Sequence, residues 1–517
     1  MPLHPNSLHY GDNLDILRKR EDFPDESIDL IYLDPPFNSK RNYNVIYKTP
    51  TGHDSDSQIT AFEDSWHWGD QAEQEYFNLT KQPNTKLSEL IQALRQFLKE
   101  TDMMAYLVMM ANRLLEMHRV LKPMGSLYLH CDPTASHYLK IVLDGVFGNE
   151  NFRNEICWHY SGWNGKLRDH FEKRHDIIFF YAKNKNQLFN SYSLPWESRD
   201  EYVSVRKQKV FRDEKGREYV LSDAGDGKRV ERYLDDAMAY GKPIDDVWNI
   251  DKINNSSKES LGYPTQKPLA LLERIIQASS NEGDIVLDPF CGCGTAVHAA
   301  QKLNRKWIGI DITHLAISLI EKRMKDAFPG ISFEVHGVPK DFDGAVDLAK
   351  RDKYQFQWWA CSLVNAQPYR GKKKGSDTGI DGLIFALEDP DESPKKIIVS
   401  VKGGDHVGSA MIRDLKGVVE REKAIIGLFV TLAEPTRDML KEASSAGFHE
   451  VGEKQYPKIQ ILTIKGLLEG RERPEYFDQH IVKGSGGFKK AKKEASSLKL
   501  SKLPFRSVDG ESIEAEE

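Results

Sequence analysis

The sequence contains one short string with an obvious chemical reading, Asp34-Pro35-Pro36-Phe37, which directly follows the strand-forming run 28–33. If the substrate is an aromatic amine, the Asp34 carboxylate and the Pro35 carbonyl can accept hydrogen bonds from its N–H groups and localise its lone pair for attack. Consecutive prolines stiffen the loop, and Phe37 offers a face for stacking an extruded base. A proline-stopped strand end with an Asp turn is the alternative, and the four residues alone leave both open.

A second group of residues has the pattern of a nucleotide-binding turn. Residues 285–295 indicate a strand, a turn with Gly292 and Gly294, and a helix start, where a ligand could approach the backbone and free N–H groups. The next strand ends in Asp311, and an acid at that position accepts hydrogen bonds from ribose hydroxyls. The spacing is not GxGxxG, which disfavours a dinucleotide. The acid favours a cofactor site over a plain tight turn.

A third group, near the C-terminus, has the layout of a metal-dependent phosphodiesterase site. Asp381 begins one strand, and the alternation of the next strand places Ser400 and Lys402 on one face. In such sites the acid binds Mg²⁺ and the lysine orients the attacking water. The basic stretch 370–374 could contact phosphates. A solvated hairpin with ordinary surface charge is the alternative that spacing alone favours.

The elements that must position these residues alternate between strand and helix. That alternation runs to about residue 185 and resumes over 268–327, which predicts an α/β protein with a parallel sheet. Residues 38–85 are predicted as one long loop, and 87–121 as a single helix that Lys122-Pro123 stops. The polar, charge-dense stretch 186–260 is predicted to be an insertion that carries recognition surface. A smaller α/β unit follows it.

Composition excludes several classes. The chain has 517 residues, which predicts two or three domains, and a net charge of -6, which does not by itself indicate nucleic acid as a partner. Five cysteines without a CxxC pair argue against a disulfide framework or structural zinc. With no signal peptide and no apolar run of membrane length, we expect a cytoplasmic protein and no membrane partner.

Three motifs together resemble the DNA amino-methyltransferases. They are the Asp34 loop, the turn at 288–295 and the segment 263–268, and their order resembles the β group, in which the catalytic motif precedes the cofactor motif. The resemblance covers roughly residues 3–325. It implies a circularly permuted Rossmann-like methyltransferase sheet, S-adenosylmethionine as cofactor and double-stranded DNA as substrate. Asp rather than Ser at position 34 favours N6 of adenine, with N4 of cytosine as the alternative.

The resemblance also implies residue roles. The catalytic set that holds the target amine is Asp34, Pro35, Pro36 and Phe37. The cofactor-binding set is Asp12, Thr265, Lys267, Asp288, Phe290, Gly292, Gly294 and Asp311, of which Thr265 and Lys267 would close the methionine end. Tyr43 and Trp66 in the predicted loop are candidates for DNA contact, with ordinary loop packing as the alternative.

Residues 346–470 resemble the Mrr-type restriction endonucleases of the PD-(D/E)xK superfamily. The resemblance is carried by an aromatic helix at 355–359 and by the two strands that hold Asp381 and Lys402. That family has Glu or Gln two residues before the lysine, and here Ser400 stands there. A carboxylate from the following helix, Glu420 or Glu422, would replace it, and Mg²⁺ would bind at Asp381 if the nuclease is active. A nuclease fold that only binds DNA is the alternative.

These inferences predict a restriction–modification protein in a prokaryotic or phage cell interior, for which the sequence leaves a homodimer open. The predicted division of the chain is a methyltransferase domain at 1–328 with its target-recognition region at about 186–260, a linker at 329–345, an Mrr-like nuclease domain at 346–482 and a disordered tail at 483–517. A last strand within 331–345 is the alternative to a linker.

Overall fold

The computed structural model of the chain describes most of its residues. The described ranges are 3–36, 41–48 and 54–64 (backbone only), 67–162, 171–191, 193–223, 228–254, 256–263, 265–369, 379–386, 395–477 and 491–494. No helix within these ranges is long and apolar enough to cross a membrane.

The N-terminal two thirds of the chain contain sixteen strands and ten α-helices in the described residues. The strands are β1 (Ser7–Tyr10), β2 (Ile28–Leu33), β3 (Arg41–Lys48), β4 (Asp54–Asp64), β5 (Leu121–Cys131), β6 (Phe152–His159), β7 (His175–Ala182), β8 (Ser193–Leu194), β9 (Val210–Arg212), β10 (Glu218–Asp223), β11 (Arg229–Tyr233), β12 (Lys242–Pro243), β13 (Val247–Asn249), β14 (Ile285–Asp288), β15 (Lys306–Asp311) and β16 (Glu334–His336). The helices are α1 (Asn13–Leu17), α2 (Asp70–Thr80), α3 (Thr85–Leu98), α4 (Asp102–Val120), α5 (Ser136–Phe147), α6 (Arg199–Arg206), α7 (Leu234–Tyr240), α8 (Leu269–Ser279), α9 (Thr295–Lys302) and α10 (His314–Ala327).

A nine-stranded sheet forms the centre of this part, in the order β13-β6-β7-β5-β2-β14-β15-β1-β16. Neighbouring strands are parallel except on both sides of β7, which is antiparallel to β5 and to β6. Strand β2 is apolar and almost wholly buried, as expected for a parallel strand with helices on both faces. The late strands β14 and β15 lie between the early strands β2 and β1, so the sheet has the permuted order that the motifs predicted.

The functional site lies where four parallel strands end. Because β1, β2, β14 and β15 are neighbours and parallel, their carboxyl ends meet at one edge of the sheet. Asp12 and Asp34 follow β1 and β2, and Asp288 and Asp311 are the last residues of β14 and β15. The topology thereby brings together acids that are up to about three hundred residues apart in the chain.

A second, smaller sheet follows in the C-terminal part. Its elements are α11 (Phe342–Arg351), α12 (Lys353–Leu363), β17 (Gln367–Pro368), β18 (Gly382–Ala386), β19 (Lys395–Lys402), α13 (Ser409–Arg421), β20 (Ile426–Thr431), α14 (Arg437–Ser444), β21 (Phe448–Val451), β22 (Lys454–Pro457), β23 (Ile459–Thr463) and α15 (Ile464–Leu468). The strand order is β17-β18-β19-β20-β23, antiparallel up to β19 and parallel from there. The predicted fold class, two α/β units of unequal size, is confirmed.

Two predictions about local structure are wrong. Residues 38–85 do not form one long loop, because β3 and β4 pair as an antiparallel hairpin and α2 follows them. The predicted helix at 87–121 is two helices. Lys99 adopts a left-handed conformation with φ of 57°, and the Thr101 side chain caps a new helix by accepting from the Met104 N–H.

The insertion at 186–260 has its own small core. A three-stranded sheet, β11-β10-β9, packs with α6 and α7 around Trp196, Tyr202 and Leu234, which are buried. Strand β13 then returns the chain to the main sheet beside β6. The sequence did not indicate this folded unit because only a few apolar residues form its core and the rest of the segment is polar.

The predicted linker and tail also contain ordered structure. Strand β16 pairs with β1 as the edge of the main sheet, and α11 already begins at Phe342, so 329–345 is not a plain linker. Of the predicted disordered tail, only 491–494 lie within the described residues, where Ala491 is buried and Lys492 and Lys493 are exposed. Ala491 lies in an apolar cluster with Leu315, Leu319 and Trp358, and the Glu494 N–H donates to the Ala327 carbonyl.

Candidate active site

A cleft of about 610 Å³ opens at the sheet edge where the four acids meet. The predicted site residues that line it are Asp12, Asp34, Pro35, Pro36, Thr265, Lys267, Asp288, Phe290, Gly292 and Asp311. Phe37 lies outside the described residues. Gly294 does not line the cleft. Its φ of 73° and its place as the N-cap of α9 give it a turn role instead, and a Cβ there would lie 2.8 Å from the Ile320 side chain.

The Asp34 side chain is oriented by one strong partner. Lys267 donates to Oδ2 in a short ion pair. Lys267 was predicted at the methionine end of the cofactor, and this contact also ties it to the predicted catalytic loop. Oδ1 is buried and has no hydrogen-bond partner among the described residues, although His130 Nδ1 lies 3.7 Å away. A buried acceptor without a partner is costly unless a ligand donates to it. Asp34 therefore lines the cleft with one acceptor oxygen that has no partner among the described residues.

A buried polar chain lies behind Asp34. The Tyr32 hydroxyl and His130 Nδ1 are 3.2 Å apart, and His130 Nε2 lies 3.4 Å from the Asp176 carboxylate. The Tyr160 hydroxyl donates to the other oxygen of Asp176. Burial by itself would raise the pKa of Asp176, but the hydrogen bond and charge of His130, aided by Lys252, hold that pKa at about 2. This carboxylate is therefore ionised at neutral pH and fixes the ring of His130.

Asp12 is held by a buried arginine that the sequence did not single out. Arg113 on α4 donates from Nη2 to Asp12 at 2.7 Å and from Nε to Asn13 at 2.7 Å. Asn13 in turn donates to the Pro289 carbonyl at 2.7 Å. The loop after β1 is thus tied to the turn after β14. No local pattern marked Arg113, because about one hundred residues separate it from its partners.

Asp311 holds the turn opposite it and also borders the cleft. Its Oδ2 accepts from the Gly292 N–H at 2.9 Å, and its Oδ1 accepts from the Thr313 N–H and hydroxyl at 2.8 Å. Burial raises the pKa of Asp311 to about 6, with these three donors acting in the opposite direction. Burial also raises the pKa of Asp288 well above its ordinary value, and the nearby Asp34 charge adds to that shift.

Four residues of the C-terminal part complete the wall of this cleft, and the sequence analysis missed all of them. They are Arg351, Asp352, Gln355 and Trp358. Gln355 Oε1 accepts a hydrogen bond from the His314 N–H at the start of α10. The aromatic helix was noted only for its resemblance to nucleases, and nothing in its spacing indicated a contact with the predicted cofactor end of the sheet.

The predicted nuclease residues are only partly brought together. Asp381 Oδ2 accepts from the Val401 N–H at 2.7 Å and lies 3.5 Å from the Ser400 hydroxyl, so it borders the face of β19 that carries Lys402. Glu420 does not join them. Helix α13 runs back along the sheet, and Glu422 near its end lies 3.9 Å from Lys396. That end of β19 is about 20 Å from Lys402.

The described residues therefore do not make a complete Mg²⁺ site at Asp381. No cluster of three or more His, Cys, Asp or Glu side chains suited to a metal occurs among them. Mg²⁺ normally takes more than one oxygen ligand from its site. The basic stretch 370–374 and the residues Pro264 and Trp66 lie outside the described residues, and the side chain of Tyr43 is outside them as well.

Comparison with known proteins agrees with this two-part architecture. A family model of DNA methylases matches residues 28–322, more than half of the chain, and a model of restriction endonucleases of the Mrr catalytic type matches residues 348–465. Among solved structures, the M1.HpyAVI–SAM complex is 17% identical with a TM-score of 0.32, over 62% of this chain and 98% of that chain.

Several curated methyltransferases are similar in sequence. Type II methyltransferase M.HpaI of Haemophilus parainfluenzae is 32% identical over 49% of this chain and 71% of its own length. M.EcaI of Enterobacter cloacae is 27% identical over 62% and 69%, and the DNA adenine methyltransferase YhdJ of Escherichia coli K12 is 26% identical over 67% and 91%. The chain belongs to the DNA methylase family, as a DNA methyltransferase that carries an Mrr-type restriction endonuclease domain.

Proposed function

We propose that this enzyme transfers a methyl group from S-adenosylmethionine to N6 of adenine in double-stranded DNA, with Asp34, Pro35, Pro36 and Phe37 as the catalytic loop. The observation that carries the proposal is the state of the Asp34 carboxylate. Lys267 holds Oδ2, while Oδ1 of this cleft-lining residue is a buried acceptor without a partner in the described residues. An amine N–H is the kind of donor that such an oxygen needs.

The chemistry follows from that geometry. An exocyclic amine is a weak nucleophile because its lone pair is delocalised into the ring. A hydrogen bond to Asp34 Oδ1 and a second to the Pro35 carbonyl keep the lone pair on nitrogen and directed at the methyl donor. As the N–C bond forms, the nitrogen becomes positive and its N–H more acidic, so the hydrogen bond to the carboxylate strengthens toward the transition state.

The cleft fits the cofactor. Its volume of about 610 Å³ lies inside the range of about 300–1,000 Å³ that is usual for such pockets. Asp311 stands at the strand end where a ribose-binding acid belongs, and Asp12, Thr265, Phe290 and Gly292 line the same space. When bound, S-adenosylmethionine supplies an electrophilic methyl group on a sulfonium. The chain's own residues orient the amine against it and exclude water.

Adenine rather than cytosine is proposed for two reasons. Asp stands at position 34, and YhdJ, which this chain resembles over 67% of its length, is by name a DNA adenine methyltransferase. N4 of cytosine is the alternative.

Incubation with tritiated S-adenosylmethionine and, in parallel reactions, duplex DNA that lacks adenine methylation, RNA or protein tests both parts. We expect label in N6-methyladenine after digestion to nucleosides. Label only in N4-methylcytosine would replace adenine by cytosine, and label in RNA or protein but not in DNA would contradict the DNA substrate.

A second proposed activity concerns the C-terminal domain, which we propose contacts and cleaves DNA. The favouring observation is that Asp381 and Ser400 lie together on the strand face that carries Lys402. The alternative is a nuclease fold that binds DNA without cutting it, which would fit the absence of a three-ligand metal cluster among the described residues.

Plasmid cleavage with Mg²⁺ separates these readings. We expect the wild type to cut unmethylated plasmid and Lys402→Ala to lose that activity. Lys441→Ala is the matched control, because Lys441 is a largely exposed lysine on α14 of the same domain. Cutting that survives Lys402→Ala would remove Lys402 from the proposed site, and no cutting by the wild type on any methylation state would support the binding-only reading.

A further inference from the structure

The cofactor cleft of the methyltransferase is bounded by both domains. Its floor is the sheet edge at Asp311 and Gly292, whereas Gln355 and Trp358 form part of its wall. These two residues belong to α12, inside the region that matches the restriction endonuclease model. A methyltransferase domain that ended at residue 328 would leave this side of the cleft open.

The contact between α12 and the methyltransferase part is a packed interface. Trp358 is buried in a cluster that includes Tyr263 and Cys293 beside the cofactor turn and Leu315 and Leu319 on α10. One α-helical turn earlier, Gln355 accepts from the His314 N–H at 3.1 Å. An apolar cluster and a hydrogen bond at successive turns fix the position of α12 against α10.

In the half-buried amide of Gln355, the oxygen has a hydrogen-bond partner and the nitrogen has none among the described residues. Its Oε1 is occupied by His314, whereas its Nε2 carries two N–H donors for which the described residues provide no partner. A glutamine side chain can satisfy both groups only if a second molecule or side chain accepts from the nitrogen. Because Gln355 bonds the N–H of His314, three residues after Asp311, its amide lies near the Asp311 end of the cleft.

We propose that Gln355 and Trp358 of the endonuclease domain are cofactor-binding residues of the methyltransferase, so that the two domains share one S-adenosylmethionine site. Gln355 donates from Nε2 to an acceptor atom of the nucleoside, and Trp358 supplies apolar surface beside it. This inference rests on the proposed function, since it requires that S-adenosylmethionine occupies this cleft. A cofactor that touches both domains stabilises the interface between them. By linkage, the interface strengthens cofactor binding by the same free energy.

The test uses the full chain and isothermal titration with S-adenosylmethionine and with S-adenosylhomocysteine, without DNA. Gln355→Glu keeps an oxygen that accepts from His314 but replaces the N–H donors by a second acceptor. Gln357→Glu is the matched control. It makes the same change in type and charge two residues along α12, about 200° around the helix, at a residue that does not line the cleft.

We expect Gln355→Glu to weaken binding of both ligands about tenfold, and Gln357→Glu to leave binding within twofold of the wild type. The melting temperature without ligand should be the same in all three proteins, because the bond to His314 is kept. Equal affinities of Gln355→Glu and the wild type would overturn the shared site while leaving the methyltransferase proposal intact.

Two further outcomes are informative. If Gln355→Glu weakens binding but also lowers the melting temperature of the ligand-free protein, Gln355 has a packing role and the inference is wrong. If the wild type itself binds neither ligand, the proposed function fails first, and the shared site fails with it.

Discussion

Asp34→Ala is the most direct test of the catalytic reading. The substitution removes the open acceptor Oδ1 and also Oδ2, the partner of Lys267. Asp34 is mostly buried, with 17% of its side chain exposed, and Lys267 has 12% exposed. Because both side chains are mostly buried, water cannot fully replace the hydrogen bonds that the substitution removes. The variant leaves a cationic ammonium group in the cleft and an amine N–H without its acceptor.

The expected loss can be estimated from the contacts. A hydrogen bond to a charged group contributes about 1.5–3 kcal/mol, which corresponds to about 10-fold to 150-fold in rate if the bond acts in the transition state. The uncompensated Lys267 charge opposes the positive charge that develops on the amine nitrogen, which shifts the expectation to the upper end of this range. We therefore expect kcat to fall by about 100-fold.

Single-turnover transfer of tritiated methyl groups to duplex DNA measures that loss, and calorimetry measures cofactor affinity separately. The dissociation constant for S-adenosylmethionine should change less than threefold, since the open oxygen serves the base and not the cofactor. Asp70→Ala is the control, because Asp70 is an exposed acid in the first turn of α2, away from the cleft.

If Asp34→Ala keeps kcat within threefold of the wild type, Asp34 is not the acceptor of the target amine. A second contrary result is an unchanged kcat at saturation with only cofactor binding lost. Asp34 would then be a cofactor ligand and not the acceptor of the target amine.

Three further predictions concern residues around the same cleft. Lys267→Met frees the Asp34 carboxylate to rotate, so kcat in the single-turnover assay should fall about tenfold; an unchanged kcat would mean that the ion pair does not orient Asp34. Burial raises the pKa of Asp311 to about 6, so its carboxylate becomes protonated between pH 7 and pH 5, and calorimetry should find cofactor affinity about tenfold lower at pH 5. Asp311→Asn should bind the cofactor with the same affinity at both pH values. A pH dependence that persists in Asp311→Asn would mean that another group is responsible for it. Gly294→Ala should lower the free energy of unfolding in urea by about 2 kcal/mol, since Gly294 has a φ of 73° and a Cβ would approach Ile320; equal stability of the two proteins would remove the turn role.

Several features could be predicted because each depends on a contiguous string. The strand before Asp34, the turn before α9 and the acid that ends β15 are local patterns, and the rule that parallel strand ends meet at one edge places them together. The fold class and the family followed from these strings and their order. The residue roles and the domain boundaries stay predictions.

Other features were beyond local patterns. The hairpin β3–β4 lies in a stretch whose many polar residues led to the loop prediction, although Val45, Ile46 and Tyr47 are strand-forming types. The break between α3 and α4 depends on the left-handed backbone of Lys99 and on the capping side chain of Thr101. These residues end one helix and begin the next, while the helical spacing of apolar residues continues across them. Glu420 was proposed as a metal ligand from its place in the chain alone, and the direction of α13 carries that end of the helix away from Asp381.

The sequence by itself determined which residue types reach the sheet edge and in what order, and hence the family. These features depend on the two-residue repeat of strands, the 3.6-residue repeat of helices and short turn motifs, all of which are local. Only the tertiary structure decided the partners. Lys267 lies 233 residues from Asp34, Arg113 lies 101 residues from Asp12, and Gln355 contacts α10 from another domain. Such pairs form when helices and strands that are far apart in the sequence pack against each other. Packing is driven by the burial of apolar surface, and its free energy depends on the area buried rather than on position in the chain. No string of neighbouring residues therefore encodes which side chain meets Asp34 or closes the cofactor cleft.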